Sequence, residues 1–152
     1  MELIHTISYD TKSPIAHFIT ADFKPKTAFY KSIDNLYDIR RRLKLRYRYY
    51  GDIFNFNSRK RDCLRLFAND IKLYNLIIAE NKLDEATKDS IRMALCLFRE
   101  QLIEDGFKEF YICSENINLI INNEEFDDVI TDIFGNDEIN ISIFNTNVKI
   151  ND

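Results

Sequence analysis

Asn57-Ser58-Arg59-Lys60-Arg61-Asp62-Cys63-Leu64-Arg65-Leu66-Phe67-Ala68-Asn69-Asp70-Ile71-Lys72-Leu73-Tyr74-Asn75-Leu76-Ile77-Ile78 is the stretch on which the choice between a helical and a sheet-based fold turns. Cys63/Leu64, Phe67, Ile71, Tyr74 and Ile77/Ile78 recur at three- and four-residue steps, the period of one face of a helix. Asn57 and Ser58 are favourable N-cap residues ahead of it. The pattern predicts a helix over 58–80.

The neighbouring segments carry the same period. Upstream, Pro25 precedes a stripe of Phe29, Ile33, Leu36, Leu43, Tyr47 and Tyr50 that predicts a helix over about 27–50, with Gly51 as its stop. Arg40 fills the gap in that stripe, so the helix either bends there or buries Arg40 against a carboxylate. Downstream, Ile91, Ala94/Leu95, Phe98 and Leu102 predict a third helix over 84–105, closed by Gly106. The short link at Asn81-Lys82-Leu83 makes helices two and three an antiparallel pair. Only three Gly and two Pro occur in 152 residues, which favours long helices over tight turns.

The two ends read differently. Residues 2–9 and 15–23 are rich in β-branched and aromatic types, flank a turn-like Asp10-Thr11-Lys12-Ser13-Pro14, and predict two strands that could close as a hairpin. After Lys108, residues 109–113 and 117–121 predict strands around Ser114-Glu115-Asn116. A short helix follows over 124–134, then an alternating strand region over 139–150 that turns near Asn145-Thr146-Asn147. The expected fold class is α+β: three long amphipathic helices with a small sheet, in one domain spanning 1–152.

No apolar run approaches the roughly 18 residues of a membrane span, and no secretory leader is visible. Cys63, Cys96 and Cys113 are odd in number and widely spaced, so reduced thiols in a cytoplasmic protein are expected rather than a disulfide or zinc framework. Nucleotide-cradling glycine motifs, H-E-x-x-H and G-x-S-x-G are missing. No catalytic residues, cofactor or metal are therefore assigned, and the chain is expected not to be an enzyme.

Charge is unevenly placed. Residues 1–108 hold 20 of the 21 Lys and Arg against 15 acids, whereas 109–152 hold ten acids and one base, Lys149. The basic part, 24–108, is densest at Arg40–Arg48, and the acidic part is 109–152. In the helix over 124–134, Glu124, Asp128 and Asp132 form one i, i+4 row of like charge, which is unfavourable unless something positive lies near it. With Glu125, Asp127, Asp137 and Glu138 they make a candidate surface for a basic protein partner. Solubility, or an internal partner for the arginine helix, explains the same row.

The leading functional expectation is an inhibitor of the immunity type, as in toxin–antitoxin pairs, masking a basic surface such as that of a nuclease. One alternative is a nucleic-acid-binding regulator using Arg41, Arg42, Arg46 and Arg48 with Tyr49 stacking. Another is a self-associating scaffold, the arginine helix of one copy against the acidic third of the next.

Overall fold

Strands and helices are interspersed along the described residues. The computed structural model describes residues 1–47, 63–68, 70–80 and 85–145, and the backbone of 149–151. In order these form β1 (Glu2–His5), β2 (Ser8–Asp10), β3 (Ile15–Thr20), α1 (Ala28–Tyr37), α2 (Ile39–Arg46), β4 (Cys63–Ala68) and β5 (Ile71–Ala79). There follow α3 (Lys88–Asp105), β6 (Glu109–Cys113), a 3-10 turn (Ile117–Leu119), α4 (Asn123–Phe134), β7 (Asn140–Phe144) and β8 (Lys149–Asn151).

Six strands make one mixed sheet in the order β1-β7-β6-β3-β5-β4, and β2 pairs with β8 in a separate two-stranded ladder. All neighbours in the large sheet are parallel except β4, which runs antiparallel to β5 with Leu66 opposite Leu73. A parallel sheet needs both faces covered. One face carries α3 and α4: Ile91, Leu95, Phe98, Phe126, Ile130 and Phe134 pack on Ala16, Phe18, Tyr74, Leu76, Phe110 and Ile112. The other carries α1 and α2, where Phe29, Tyr30, Ile33, Ile39 and Leu43 meet Ile15, Ile19, Leu64, Leu66, Leu73 and Ile77. Odd and even positions of β3 thus feed opposite cores, as strand geometry requires.

The three-long-helix expectation is corrected. The part of predicted helix 58–80 that is described is the β4–β5 hairpin, whereas 58–62 and Asn69 lie outside the described residues. The cause is burial on both faces. Seven of the nine residues of β5 are buried. A strand of that kind is apolar at almost every position, so a helical stripe can always be picked out of it. The antiparallel pairing expected between helices two and three therefore does not exist.

The predicted helix 27–50 is two helices as far as residue 47. The break falls at Asp38, whose φ of 58° is left-handed. The Asp34 side chain accepts the backbone N–H of Arg40 at 2.7 Å across the break. Arg40, the misfit in the apolar stripe, thus lies in the first turn of the second helix.

The third helix is α3, capped by a Thr87/Ser90 box at one end and by Gly106, φ 81°, at the other. Residues 117–121 are not a strand: Asn116, φ 66°, turns the chain into the 3-10 turn and leaves Leu119 exposed. Segments 2–9 and 15–23 do not pair as a hairpin. β1 joins β7 and β2 joins β8, while β3 sits between β5 and β6. Segment 139–150 is likewise split between the two sheets. Among the described residues no helix is long and apolar enough to cross a membrane.

Candidate functional site

In a parallel sheet, the place where successive strands leave to opposite sides opens a crevice beyond the strands' carboxyl ends. Here that place lies between β3 and β6. From β3 the chain goes on to β4 and β5, and from β6 it goes on to β7, on the other side. A cleft of about 330 Å³ occupies the spot. Phe18, Ile19 and Thr20 at the end of β3, Ile78 and Ala79 at the end of β5, and Ile117 and Ile120 after β6 give it a largely apolar wall. Thr20, Lys26, Thr27, Glu85, Glu115 and Asn116 supply its polar groups, with Ala86 and Leu119 completing the rim. A volume of this size, mostly apolar with a few polar groups, is that of a small-molecule pocket.

The wall between β3 and α1 is rigidly built. The Thr20 hydroxyl donates to Asp22 Oδ1 at 2.6 Å, and that oxygen also accepts the Lys24 N–H at 3.1 Å. Phe23 is fully buried with φ 61°, an unfavourable region for a bulky side chain. The Tyr30 hydroxyl donates to its carbonyl at 2.8 Å and helps hold it there. Burial pushes the Tyr30 phenol well above its ordinary pKa, so it stays a donor.

Helix α1 points its N-terminus at the cleft, and its first amides are already used. Glu115, on the loop after β6, accepts from Ala28 N at 2.7 Å and Phe29 N at 3.0 Å. The Thr27 hydroxyl accepts from Tyr30 N at 3.0 Å. A helix N-terminus is a natural phosphate seat. In this chain a carboxylate of its own occupies that seat, and among the described residues no glycine lines the cleft.

His17 on β3 is buried beside Phe29 and Tyr30, with its Nε2–H bonded to Asn75 Oδ1 at 2.6 Å. Burial lowers its pKa to about 4 despite that bond, so it is neutral at physiological pH. The Cys113 thiol is pushed up to about 12 by burial. Cys63 and Cys96 are half-buried and belong to no disulfide.

The residues singled out from sequence lie elsewhere. Glu125 pairs with Lys88 at 3.0 Å, Asp132 with Arg92, and Asp137 with Arg99 through two bonds of 2.7 and 2.9 Å. Asp127 holds His5 at 2.8 Å. Glu124, Asp128 and Glu138 are exposed. The positive charge that relieves the acidic row therefore comes from α3, packed beside α4, and not from the arginine-rich segment. Within that segment Arg41 pairs with Asp38, Arg42 lies 3.5 Å from Asp70, and Arg46 sits over the Tyr47 ring. Arg48 and Tyr49 lie outside the described residues. None of the described residues among these lines the cleft.

Sequence reasoning missed the cleft because its residues are scattered over 18–120 and carry no motif. The one available signal was Ser114-Glu115-Asn116, read as a turn between strands.

No protein-family model and no curated protein sequence matches the chain. Solved structures do. The macrodomain of Thermus aquaticus DarG superposes with a TM-score of 0.64 at 8% identity, covering 93% of this chain and 97% of that one. A Bacteroides thetaiotaomicron protein gives 0.65 at 13%, covering 95% and 99%. A macrodomain protein from Streptomyces coelicolor gives 0.62 at 12%, covering 94% and 98%. These likenesses overturn the expectation of an immunity-type or toxin–antitoxin inhibitor masking a basic partner, which rested on charge alone. The fold is macrodomain-like: among the described residues, a mixed six-stranded sheet with four helices in an α/β/α arrangement.

Proposed function

We propose that this chain is a small-molecule-binding domain that takes a nucleoside-type ligand in the cleft between β3, β5 and β6. The observation that carries the reading is the cleft's position at the strand-order switch, with an apolar wall and a few hydrogen-bonding groups. Ile19, Ile78, Ile117 and Ile120 suit a flat ring, whereas Thr20, Thr27 and Asn116 suit ring heteroatoms and hydroxyls.

The macrodomain likeness makes ADP-ribose the first probe. The chain's own residues set a condition on it. With Glu115 on the first amides of α1, a diphosphate meets like charge where a phosphate would otherwise sit. Binding therefore favours the phosphate-free nucleoside. The reading is of binding without turnover. Among the described residues the titratable groups lining the cleft are Lys26, Glu85 and Glu115, and the last is held as a helix cap.

Calorimetry with adenosine and ADP-ribose tests this. Adenosine is expected to bind saturably, and ADP-ribose more weakly. Ala86→Trp fills the rim from a half-buried position outside the core and is expected to abolish binding with an unchanged melting temperature. Absence of binding by either ligand, to the wild type and to Glu115→Ala alike, refutes the reading.

A further inference from the structure

The 3-10 turn after β6 holds one leucine in water at the mouth of the cleft. Asn116, φ 66°, starts the turn, and Ile117 and Ile121 anchor it in the core. The N–H groups of Ile120 and Ile121 both donate to the Ile117 carbonyl, at 2.9 and 3.0 Å. With the turn fixed on both sides, Leu119 points outward and is 81% exposed, although it lines the cleft. A single leucine on an open surface needs no explanation. Leu119 is different because it extends the apolar wall of Ile78, Ile117 and Ile120 out to the rim.

We propose that the ligand of the cleft, on the nucleoside reading given above, carries a small apolar substituent where a nucleotide carries phosphate, and that this substituent covers Leu119.

Three kinds of substituent compete for that place. A phosphate meets the Glu115 carboxylate, which already takes the amides of Ala28 and Phe29. A cationic group gains little from Glu115, because each of its oxygens holds an amide and the pair faces the positive end of α1. An apolar group has no charge to desolvate, and it removes the Leu119 side chain from water along with itself. Size agrees with this choice. A cleft of about 330 Å³ is at the small end of the range for ligand pockets, which suits a nucleoside extended by a few atoms.

Burial of each methylene-sized group raises affinity by about fourfold, so a methylthio group is worth about tenfold. No covalent step is involved.

Calorimetry of the intact chain tests the assignment with adenosine and three relatives bearing methylthio, amino or phosphate in place of the primary hydroxyl. Methylthioadenosine is expected to bind at least tenfold more tightly than adenosine, and the amino and phosphate compounds more weakly than methylthioadenosine. Leu119→Ser alters an exposed position and is expected to cut the methylthio advantage below threefold with an unchanged melting temperature. Equal binding of adenosine and methylthioadenosine overturns the proposal and leaves the nucleoside reading standing. The same holds if the advantage is undiminished in Leu119→Ser, or if the amino or phosphate compound binds more tightly than methylthioadenosine. Absence of binding by all four refutes the nucleoside reading and this assignment with it.

Discussion

Replacing Glu115 by alanine removes one side chain and touches both stability and specificity. The carboxylate accepts two amide hydrogen bonds at the first turn of α1, one from exposed Ala28 and one from the half-buried amide of Phe29. Loss of an N-cap acceptor costs about 0.5–2 kcal/mol, and loss of a negative charge at a helix N-terminus about 0.3–1 kcal/mol. Water can replace the bond to Ala28 more readily than the bond to Phe29, and Thr27 still caps Tyr30. The expected net loss is therefore about 1–2.5 kcal/mol, or roughly 2–10 °C in melting temperature for a domain of this length. Urea unfolding followed by circular dichroism measures it.

The second readout is the emptied helix terminus. Inorganic phosphate at millimolar concentration is expected to stabilise Glu115→Ala more than the wild type, because the dipole and the freed amides then face solvent. ADP-ribose affinity is expected to rise at least tenfold in the same variant. A stability loss below about 0.5 kcal/mol, together with an identical phosphate response in both proteins, would refute the assignment of Glu115 as an internal occupant of the anion seat.

Two further outcomes follow from groups away from the cleft. His17 has a folded-state pKa of about 4 against 6.5, so the unfolded chain binds the extra proton, and its contribution is full above pH 6.5 and declines as pH falls toward 4. The loss between about pH 7 and pH 5 is about 2 kcal/mol, and His17→Gln should flatten that slope in urea titrations at several pH values; parallel slopes would contradict it. The Arg99–Asp137 pair, which holds the Asp137 carboxyl below its usual pKa, should show a double-mutant coupling of about 0.3–1 kcal/mol at neutral pH. That coupling should fade as acid titrates Asp137; persistence at low pH would count against an ionic origin.

The legible parts of the fold are those whose pattern has a single reading. α3 and α4 each have one apolar face, and Gly106 ends α3 as its position suggests. Ile141 and Ile143 alternate with polar neighbours, and β7 is where they place it. The β4–β5 hairpin was not legible because a strand buried on both sides loses its two-residue alternation. One wrong period there turns two strands of a six-stranded sheet into a long helix and leaves only a small sheet. The charge asymmetry is real in sequence, yet Lys88, Arg92 and Arg99 cross from α3 to meet Glu125, Asp132 and Asp137, and such long-range pairing leaves no local trace. The cleft was invisible for a related reason. It is a meeting of strand ends, and only topology brings Thr20, Ala79 and Glu115 together.

The pairing of β1 with β7 has a consequence for how the molecule is made. Residues 2–5 are synthesised long before their hydrogen-bonding partners at 140–143. β6 must also wait for β7 before both of its edges are covered. During synthesis, then, half of the sheet has open edges until β7 has been made, which is the high-contact-order situation that slows folding and exposes strands to mispairing.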